Sequence, residues 1–307
     1  MRIAVMGAGG LGGCLGGLLA RSGNDVILIA RGAHLDAIRR NGLRIKRRTE
    51  EFMVKVDATD DPSQVGTVDL VLFTVKTYHN PQAIPTIKPM VGPSTNVLTF
   101  QNGVESHEQL GAVLGQEHCL PGAFWASATI EAPGIITEAI EARISFGEAD
   151  GTESPRVQEI QRIFQDAGVV VEVSSDALQV LWTKFVLLAS AAGITSASRT
   201  RIKALIQYPE VRKLLLAAVS EAEAVGRARG VNLPQVIAEQ RVSYIESLPD
   251  DFQTSMHVDL ENGRPLELEA LNGAVVRIGR EVGVLTPIHS LLYAVLQPHK
   301  DGAAVHS

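Results

Sequence analysis

The sequence predicts an α/β domain followed by an all-α domain in a chain of 307 residues. Two observations lead to this prediction. Short apolar runs alternate with helical patterns through the first half of the chain, which is typical of a parallel sheet covered by helices. After about residue 174 only helical patterns remain. We therefore predict two domains, 1–174 and 175–307, with the active cleft between them.

The chain begins with a buried strand that ends in a glycine-rich turn. The apolar run 2–6 leads directly into a match to G-x-G-x-x-G, and a helical pattern follows over about 11–21. Glycines in such a turn permit a tight bend, the approach of a pyrophosphate and close packing of the helix. The motif predicts a Rossmann-type dinucleotide-binding domain, with cofactor contacts from Gly7, Ala8, Gly9, Gly10, Leu11 and Gly12.

Arg31 follows the second predicted strand, 25–30. An NAD site usually has an acidic residue in this region to bind the ribose 2′-hydroxyl, whereas a basic residue suits a 2′-phosphate. We therefore predict NADP(H) rather than NAD(H). The alternative is that Arg31 is a solvated loop residue.

Two later strands of the same domain end in polar residues. Lys76 follows the apolar run 68–75, and Asn102 follows the run 96–100 at the start of a predicted helix. Ligands of open α/β sheets lie beyond the carboxyl ends of the strands. Lys76 is thus placed to contact a cofactor phosphate or a substrate carboxylate. The Asn102 amide can donate to and accept from a carboxamide or a ribose. Asn102 is also a favoured helix cap.

The remaining elements alternate before the domain boundary and are helical after it. A helix is predicted at 34–40, a hairpin from 43–46 and 52–56, antiparallel strands within 120–147, a helix at 154–166 and a strand at 169–173. Helical patterns then cover 177–192, 209–230, 234–248, 267–283 and 287–297.

Composition restricts the class of partner. The net charge of −6 gives no broad attraction to nucleic acid or to an anionic membrane. A basic run at 44–48 is followed by Glu50 and Glu51, which indicates a solvated hairpin tip. The two cysteines offer no disulfide framework or metal-ligand spacing. We see neither a signal peptide nor an apolar run long enough to span a membrane, so we expect a cytoplasmic protein.

Lys184 is the strongest candidate for chemistry in the second half. It lies in an apolar helix beside Trp182 and Phe185, where a charge is costly to bury unless it is paired or its pKa falls. An ammonium there could polarise a substrate carbonyl and protonate the alkoxide formed by hydride transfer. The alternative is that its stem covers apolar surface while its charged end reaches water.

Two further candidates lie near residue 260. We interpret 254–259 as a polar loop, in which His257 is a rival acid because imidazole titrates near neutrality. We prefer Lys184, because a solitary loop histidine is more often structural or exposed. Glu267 lies near the start of a predicted helix, where it could keep Lys184 charged, hold the nicotinamide ribose, or simply stabilise the helix.

Taken in order, these motifs resemble the ketopantoate reductase (2-dehydropantoate 2-reductase) family over essentially the whole chain. The residues that carry the resemblance are the glycine-rich turn, Arg31, the segments 75–77, 101–103, 182–185 and 255–259, Glu267, and the segment 272–276.

The resemblance implies NADPH-dependent reduction of ketopantoate to pantoate, in the pathway to pantothenate (vitamin B5). It also implies an all-α carboxyl-terminal domain like that of 6-phosphogluconate dehydrogenase, and a homodimer is possible. By the same resemblance Lys184 is the proton donor and Glu267 its partner near the nicotinamide ribose. The other implied contacts are Lys76, Asn102 and the backbone of Ala126 on the cofactor, and Asn102, Lys184 and Ser255 on the substrate.

One departure from the family concerns the helix of Lys184. The family commonly has asparagines four and eight residues after this lysine, whereas this chain has Leu188 and Ala192. Loss of polar partners in a desolvated site costs about 1–3 kcal/mol each. An alternative substrate is therefore a more apolar 2-oxo acid, and a third hypothesis is a regulator that binds NADP without catalysis.

Overall fold

The computed structural model describes residues 1–303, which separate into two compact units. The first contains Met1–Gln101 and Ser106–Ala177 and combines a sheet with helices. The second contains Asn102–Glu105 and the chain from Leu178 onward, and it is helical. The segment Asn102–Glu105 thus belongs to a unit that is distant in sequence, which the sequence pattern does not predict.

A mixed sheet forms the centre of the first unit. Its ten strands within residues 1–303 are β1 Arg2–Met6, β2 Asp25–Ile29, β3 Leu43–Arg47, β4 Glu51–Val54, β5 Asp57–Thr59, β6 Leu70–Phe73, β7 Asn96–Thr99, β8 Cys119–Ala132, β9 Ile135–Phe146 and β10 Val170–Val173. The order across the sheet is β4-β3-β9-β8-β7-β6-β1-β2-β5, and β10 pairs with β9. All neighbouring strands in the part of the sheet ordered β8-β7-β6-β1-β2-β5 pair in parallel. Strand β8 pairs antiparallel with β9. The predicted α/β class is confirmed.

Strand β1 is apolar throughout its interior because both faces of the sheet are covered there. Ile3 and Val5 belong to one hydrophobic cluster, whereas Ala4 and Met6 belong to the cluster on the opposite face. Successive strand residues point to opposite faces. A parallel strand covered on both sides therefore needs an unbroken apolar run.

Five helices accompany the sheet within the described part of this unit: α1 Gly10–Arg21, α2 Gly32–Asn41, α3 Asn80–Thr86, α4 Ser106–Leu114 and α5 Pro155–Asp166. Helix α4 begins at Ser106, so the prediction of a helix from residue 102 is wrong. The residues before it, 102–105, are irregular and belong to the helical unit. Asn102 is therefore not a helix cap.

The β3–β4 hairpin carries the basic run of the sequence, and three of its four basic residues pair with carboxylates. Arg44 contacts Glu51 at 3.1 Å, and Lys46 contacts Glu131 at 2.7 Å. Arg47 contacts the buried Glu138 at 2.5 Å. Arg48 is exposed, whereas the Arg47–Glu138 pair is buried, so the solvated-hairpin interpretation does not hold for Arg47.

The second unit consists of helices in its described part. They are α6 Ala177–Ser198, α7 Ile202–Leu205, α8 Pro209–Ala228, α9 Ile237–Tyr244, α10 Ser255–Glu261, α11 Asn272–Val282 and α12 Pro287–Leu296. The prediction of a loop at 254–259 is wrong, because α10 begins at Ser255. The Thr254 hydroxyl accepts the His257 N–H at 3.4 Å and caps this helix. Glu267 precedes α11 by a separate turn, in which the Ala270 and Leu271 N–H groups donate to the Glu267 carbonyl.

Helix α6 is a long and largely apolar helix of this unit. Its length and composition alone would allow it to cross a membrane, but most of it is buried inside the structure. Core helices of soluble proteins share these properties. We therefore interpret α6 as a core helix.

A buried polar cluster ties α6 to the other helices. The Asn272 side-chain amide donates to the Ala189 carbonyl and to His289 Nδ1, both at 3.1 Å, and His289 Nε2 lies 3.0 Å from the Ala218 carbonyl. With Nδ1 accepting and Nε2–H donating, the imidazole is neutral. Burial lowers the pKa of His289 to about 4, in agreement with this assignment.

Candidate active site

The glycine turn joins β1 to α1 and has the geometry of a dinucleotide-binding turn. Gly7 has φ of +102°, which glycine adopts without strain. The Gly7 and Ala8 N–H groups donate to the Ile29 carbonyl at 3.2 and 2.9 Å. A Cβ atom at Gly9 would have open space around it, whereas one at Gly10 would collide with the Ala128 carbonyl of β8. The turn is therefore open at Gly9, whereas β8 occupies the space beside Gly10.

Thr74 fixes this turn and was missed by the sequence analysis. Its hydroxyl donates to the Gly7 carbonyl at 2.9 Å, and its backbone N–H donates to the Met6 carbonyl at the same distance. A Cβ atom at Gly12 would collide with both the Gly7 carbonyl and the Thr74 hydroxyl. The third glycine thus allows helix, turn and hydroxyl to pack together. A threonine at the end of a strand gives no distinctive sequence signal.

Arg31 and Lys76 lie at the carboxyl ends of strands that flank β1. Arg31 follows β2 at the start of α2 and is exposed, and its guanidinium forms no hydrogen bond or ion pair within residues 1–303. Lys76 follows β6 and precedes a 3₁₀ turn, Thr77–His79. Both residues follow the carboxyl ends of their strands, and their contacts with a ligand stay predictions.

Ala126 lies at an irregularity in the β8–β9 ladder. Trp125 pairs with Arg143 and Ser127 pairs with Ile140, and the register shifts between these two pairs. Ala126 therefore has no partner in the ladder, as is usual for a residue at a β-bulge. Its implied contact with the cofactor stays a prediction.

In the helical unit, Asn102, Lys184 and Glu267 form one hydrogen-bonded cluster. Lys184 Nζ donates to Asn102 Oδ1 at 3.1 Å, and Asn102 Nδ2 donates to Glu267 Oε2 at 3.3 Å. Glu267 is only 5% exposed. Each amide atom of Asn102 thus has a charged partner of the matching polarity, which orients the amide unambiguously.

The segment that carries Asn102 is held by two contacts. Gly103 has φ of +94°, and a Cβ atom there would lie 2.8 Å from the Ala270 carbonyl. Arg277 of α11 pairs with Glu105 at 2.6 Å. The Asn-Gly sequence therefore lets the backbone approach the turn that carries Glu267. The sequence analysis assigned no role to Gly103, Glu105 or Arg277.

Lys184 lies on α6 between two buried aromatic residues in sequence. Trp182 and Phe185 are buried and pack edge to face, with ring centroids 5.2 Å apart. Burial lowers the pKa of Lys184 to about 8, and the negative charge of Glu267 opposes this shift. An ammonium with a pKa near neutrality suits a general acid, because it is still protonated at pH 7 and releases its proton readily.

Other predicted residues are not part of this cluster. Ser255 is exposed at the first turn of α10 and makes no hydrogen bond to the cluster within residues 1–303. His257 is fully buried, with Nε2 3.3 Å from Glu261 Oε1, so it is a poor candidate for an acid that meets substrate. Leu188 is partly exposed one turn after Lys184, and Ala192 is buried.

The first unit fits a phosphorylated dinucleotide. The amino terminus of α1 has no side-chain cap, so its N–H groups are available to an anion beside the open Gly9 side of the turn. Arg31, at the end of the adjacent strand, offers a guanidinium that has no carboxylate partner within residues 1–303. Guanidinium is well suited to phosphate recognition.

Comparison with known proteins identifies related families and structures. The family described as "Ketopantoate reductase PanE/ApbA" matches residues 3–151, and its carboxyl-terminal counterpart matches 176–300. A 2-dehydropantoate 2-reductase of Mesorhizobium japonicum is 31% identical, with 97% of each chain covered.

Solved structures agree with this result. The chain is similar to a PanE/ApbA family ketopantoate reductase from Ralstonia eutropha JMP134, with a TM-score of 0.91, 32% identity and 98% of each chain covered. It also resembles a D-mandelate dehydrogenase solved with NADH and anilino(oxo)acetate, with a TM-score of 0.89, 22% identity and 98% of each chain covered. At that identity the second likeness shows the fold alone.

Proposed function

Because this chain belongs to the ketopantoate reductase family, we propose that it reduces 2-dehydropantoate to pantoate with NADPH, a step of pantothenate biosynthesis. The observation that carries the proposal is the cluster of Lys184, Asn102 and Glu267. A partly buried ammonium with an oriented amide and a buried carboxylate is the equipment that carbonyl reduction needs.

The reduction adds a hydride to the carbonyl carbon and a proton to the carbonyl oxygen. NADPH supplies the hydride. Lys184 is the proposed donor of that proton. Its Nζ also polarises the carbonyl before reduction, because an ammonium placed at the oxygen stabilises the developing negative charge. Asn102 orients Nζ, and Glu267 keeps it charged.

The remaining site residues have proposed binding roles. The glycine turn holds the pyrophosphate and Arg31 the 2′-phosphate. The other proposed contacts are Lys76, Ala126, Asn102 and Glu267 to the cofactor and Ser255 to the substrate. A homodimeric state and a cytoplasmic location stay predictions. Sedimentation of the purified protein tests whether it is a dimer.

The test is turnover by the Lys184→Ala variant. Without the ammonium we expect NADPH oxidation with 2-dehydropantoate to fall by about two to four orders of magnitude. Lys213→Ala, which changes an exposed lysine of α8, is the matched control and keeps full activity. Unchanged turnover by Lys184→Ala would remove this residue from the mechanism, and lack of turnover by the unmodified protein would reject the activity.

A second candidate keeps the reaction but changes the substrate to a more apolar 2-oxo acid. Leu188 favours it, since this partly exposed apolar side chain lies one helical turn from Lys184. A panel of 2-oxo acids decides between the two. A kcat/KM for 2-dehydropantoate well above that of every apolar 2-oxo acid would exclude this candidate.

A further inference from the structure

His79 lies beside the dinucleotide-binding turn, although no role has been assigned to it. Strands β2 and β6 are the two neighbours of β1, and the register places Ile29 and Phe73 level with Met6. The turns that follow β2 and β6 therefore lie on either side of the glycine turn. Arg31 is in the first of these turns and His79 is in the second.

The two side chains are close enough to interact electrostatically. His79 is exposed, and limited burial together with the positive charge of Arg31 lowers its pKa. The His79 ring packs edge-on against Tyr78, with centroids 4.7 Å apart. Neither the Arg31 guanidinium nor the His79 imidazole has a hydrogen-bonding partner in the described part of the chain.

Within residues 1–303, no carboxylate forms an ion pair with Arg31 or His79. Lys76 lies on the same turn as His79 and has the same sign as Arg31. Helix α4 packs against α3, which His79 precedes, and its ionisable residues are His107 and Glu108, 4.0 Å apart. Beyond β5, Asp60 pairs with Arg39. The turns after β2 and β6 thus bring together Arg31, Lys76 and His79, which are basic groups suited to a polyanion.

A ribose 2′-phosphate has the chemistry to complete this arrangement. A phosphate monoester carries between one and two negative charges near neutral pH, with a second pKa of about 6. A dianion between Arg31 and His79 would reverse the sign of the field at the imidazole, and opposite charges favour protonation of a histidine.

We propose that His79 joins Arg31 in binding the 2′-phosphate of NADPH, and that its imidazole takes up a proton when the cofactor binds. The inference rests on the proposed NADPH site and extends it. It makes preference for NADPH over NADH depend on pH, because NADH has no 2′-phosphate to interact with the imidazolium.

Calorimetric titration tests the proton uptake without using catalysis. NADPH is titrated into the full-length protein near pH 7 in buffers of different ionisation enthalpy, which gives the number of protons taken up per cofactor bound. We expect uptake for the unmodified protein and less for His79→Gln. His118→Gln is the matched control, because His118 precedes β8 at the opposite, amino-terminal edge of the strands. NADH should cause no uptake that depends on His79.

Affinities measured by the same titrations give a second readout. We expect His79→Gln to raise the Kd of NADPH about fivefold near pH 6 and by less than about twofold near pH 8.5, with the Kd of NADH unchanged. Equal proton uptake by His79→Gln and the unmodified protein would overturn the inference while NADPH binding survives. Absence of NADPH binding by the unmodified protein would instead overturn the proposed cofactor site.

Discussion

Lys184 combines two opposing influences on one ammonium group. Burial lowers its pKa to about 8, and Glu267 limits the fall. A fully solvated lysine would be a weak acid at neutral pH, whereas an unpaired buried lysine would be mostly neutral there. The proposed mechanism needs the charged form, so the activity must depend on pH through this residue.

We predict that kcat/KM for the 2-oxo acid falls as the pH rises through about 8, because Lys184 then loses the proton that it must donate. In Glu267→Gln the negative charge that raises this pKa is absent, so the falling limb should move to lower pH. The measurement is the pH profile of kcat/KM. Glu269→Gln, a neighbouring change that affects a contact with Tyr293, should leave the limb in place. A limb that does not move in Glu267→Gln would contradict the proposed coupling.

At the scale of elements, the irregular segment Asn102–Glu105 is as important as any helix. It carries Asn102 to Lys184 and Glu267 because Gly103 allows close approach to the turn that precedes α11. The adjacent ion pair between Glu105 and Arg277 attaches the same segment to α11. The position of the Asn102 amide therefore depends on the neighbouring Gly103.

We predict that Gly103→Ala lowers kcat by about tenfold or more, because the added methyl group displaces the segment from the Ala270 carbonyl and misplaces Asn102. Gly23→Ala is the matched control, since Gly23 has a similar positive φ of +92° but open space around its Cβ position. Both variants should lose about 1 kcal/mol or more of stability through backbone strain. Equal kcat values for the two variants would show that strain alone, not the contact, matters.

The polar cluster around His289 predicts how the stability of the helical unit depends on pH. The pKa of His289 is about 4 in the folded state and 6.5 without the fold, so the unfolded chain binds more protons between these values. The stabilisation is therefore complete above pH 6.5 and is lost as the pH falls towards 4. Its size is about 3 kcal/mol.

Urea unfolding measured from pH 7 to pH 4 checks this prediction. The free energy of unfolding should decrease over this interval in the unmodified protein. His289→Gln should be less stable at pH 7 and should show a shallower decrease. His118→Gln should keep the original slope, and the same slope in all three proteins would refute the role of His289.

At the scale of the whole molecule, the two units contribute different parts of the proposed reaction. The glycine turn and Arg31 belong to the α/β unit, whereas Asn102, Lys184 and Glu267 belong to the helical unit. Cofactor affinity and proton donation should therefore respond to different substitutions.

We predict that Arg31→Asp weakens NADPH binding far more than NADH binding, because it removes the proposed partner of the 2′-phosphate and adds a repelling charge. Lys184→Ala should keep the thermal stabilisation by NADPH, about 2.7 kcal/mol at one hundred times Kd, despite its loss of turnover. Thermal unfolding with each cofactor measures both effects. Equal weakening of NADPH and NADH by Arg31→Asp would reject the 2′-phosphate assignment.

The sequence by itself determined the elements that depend on neighbouring residues. The apolar run of β1, the glycine turn and α1 are contiguous, and their spacing follows directly from backbone geometry. The importance of Lys184 was also visible, since it is a single charge in an apolar helix. Family resemblance added the expected reaction, and the comparisons support it.

Only the tertiary structure decided which distant residues meet. Asn102 is 82 residues from Lys184 and 165 residues from Glu267, and no local pattern specifies those hydrogen bonds. The segment 102–105 was predicted to start a helix, but it joins the helical unit because Gly103 and Glu105 find partners there. Burial of His257 was likewise decided by packing. Local propensity governs elements, whereas the placement of a catalytic group depends on contacts that exist only after the chain has folded.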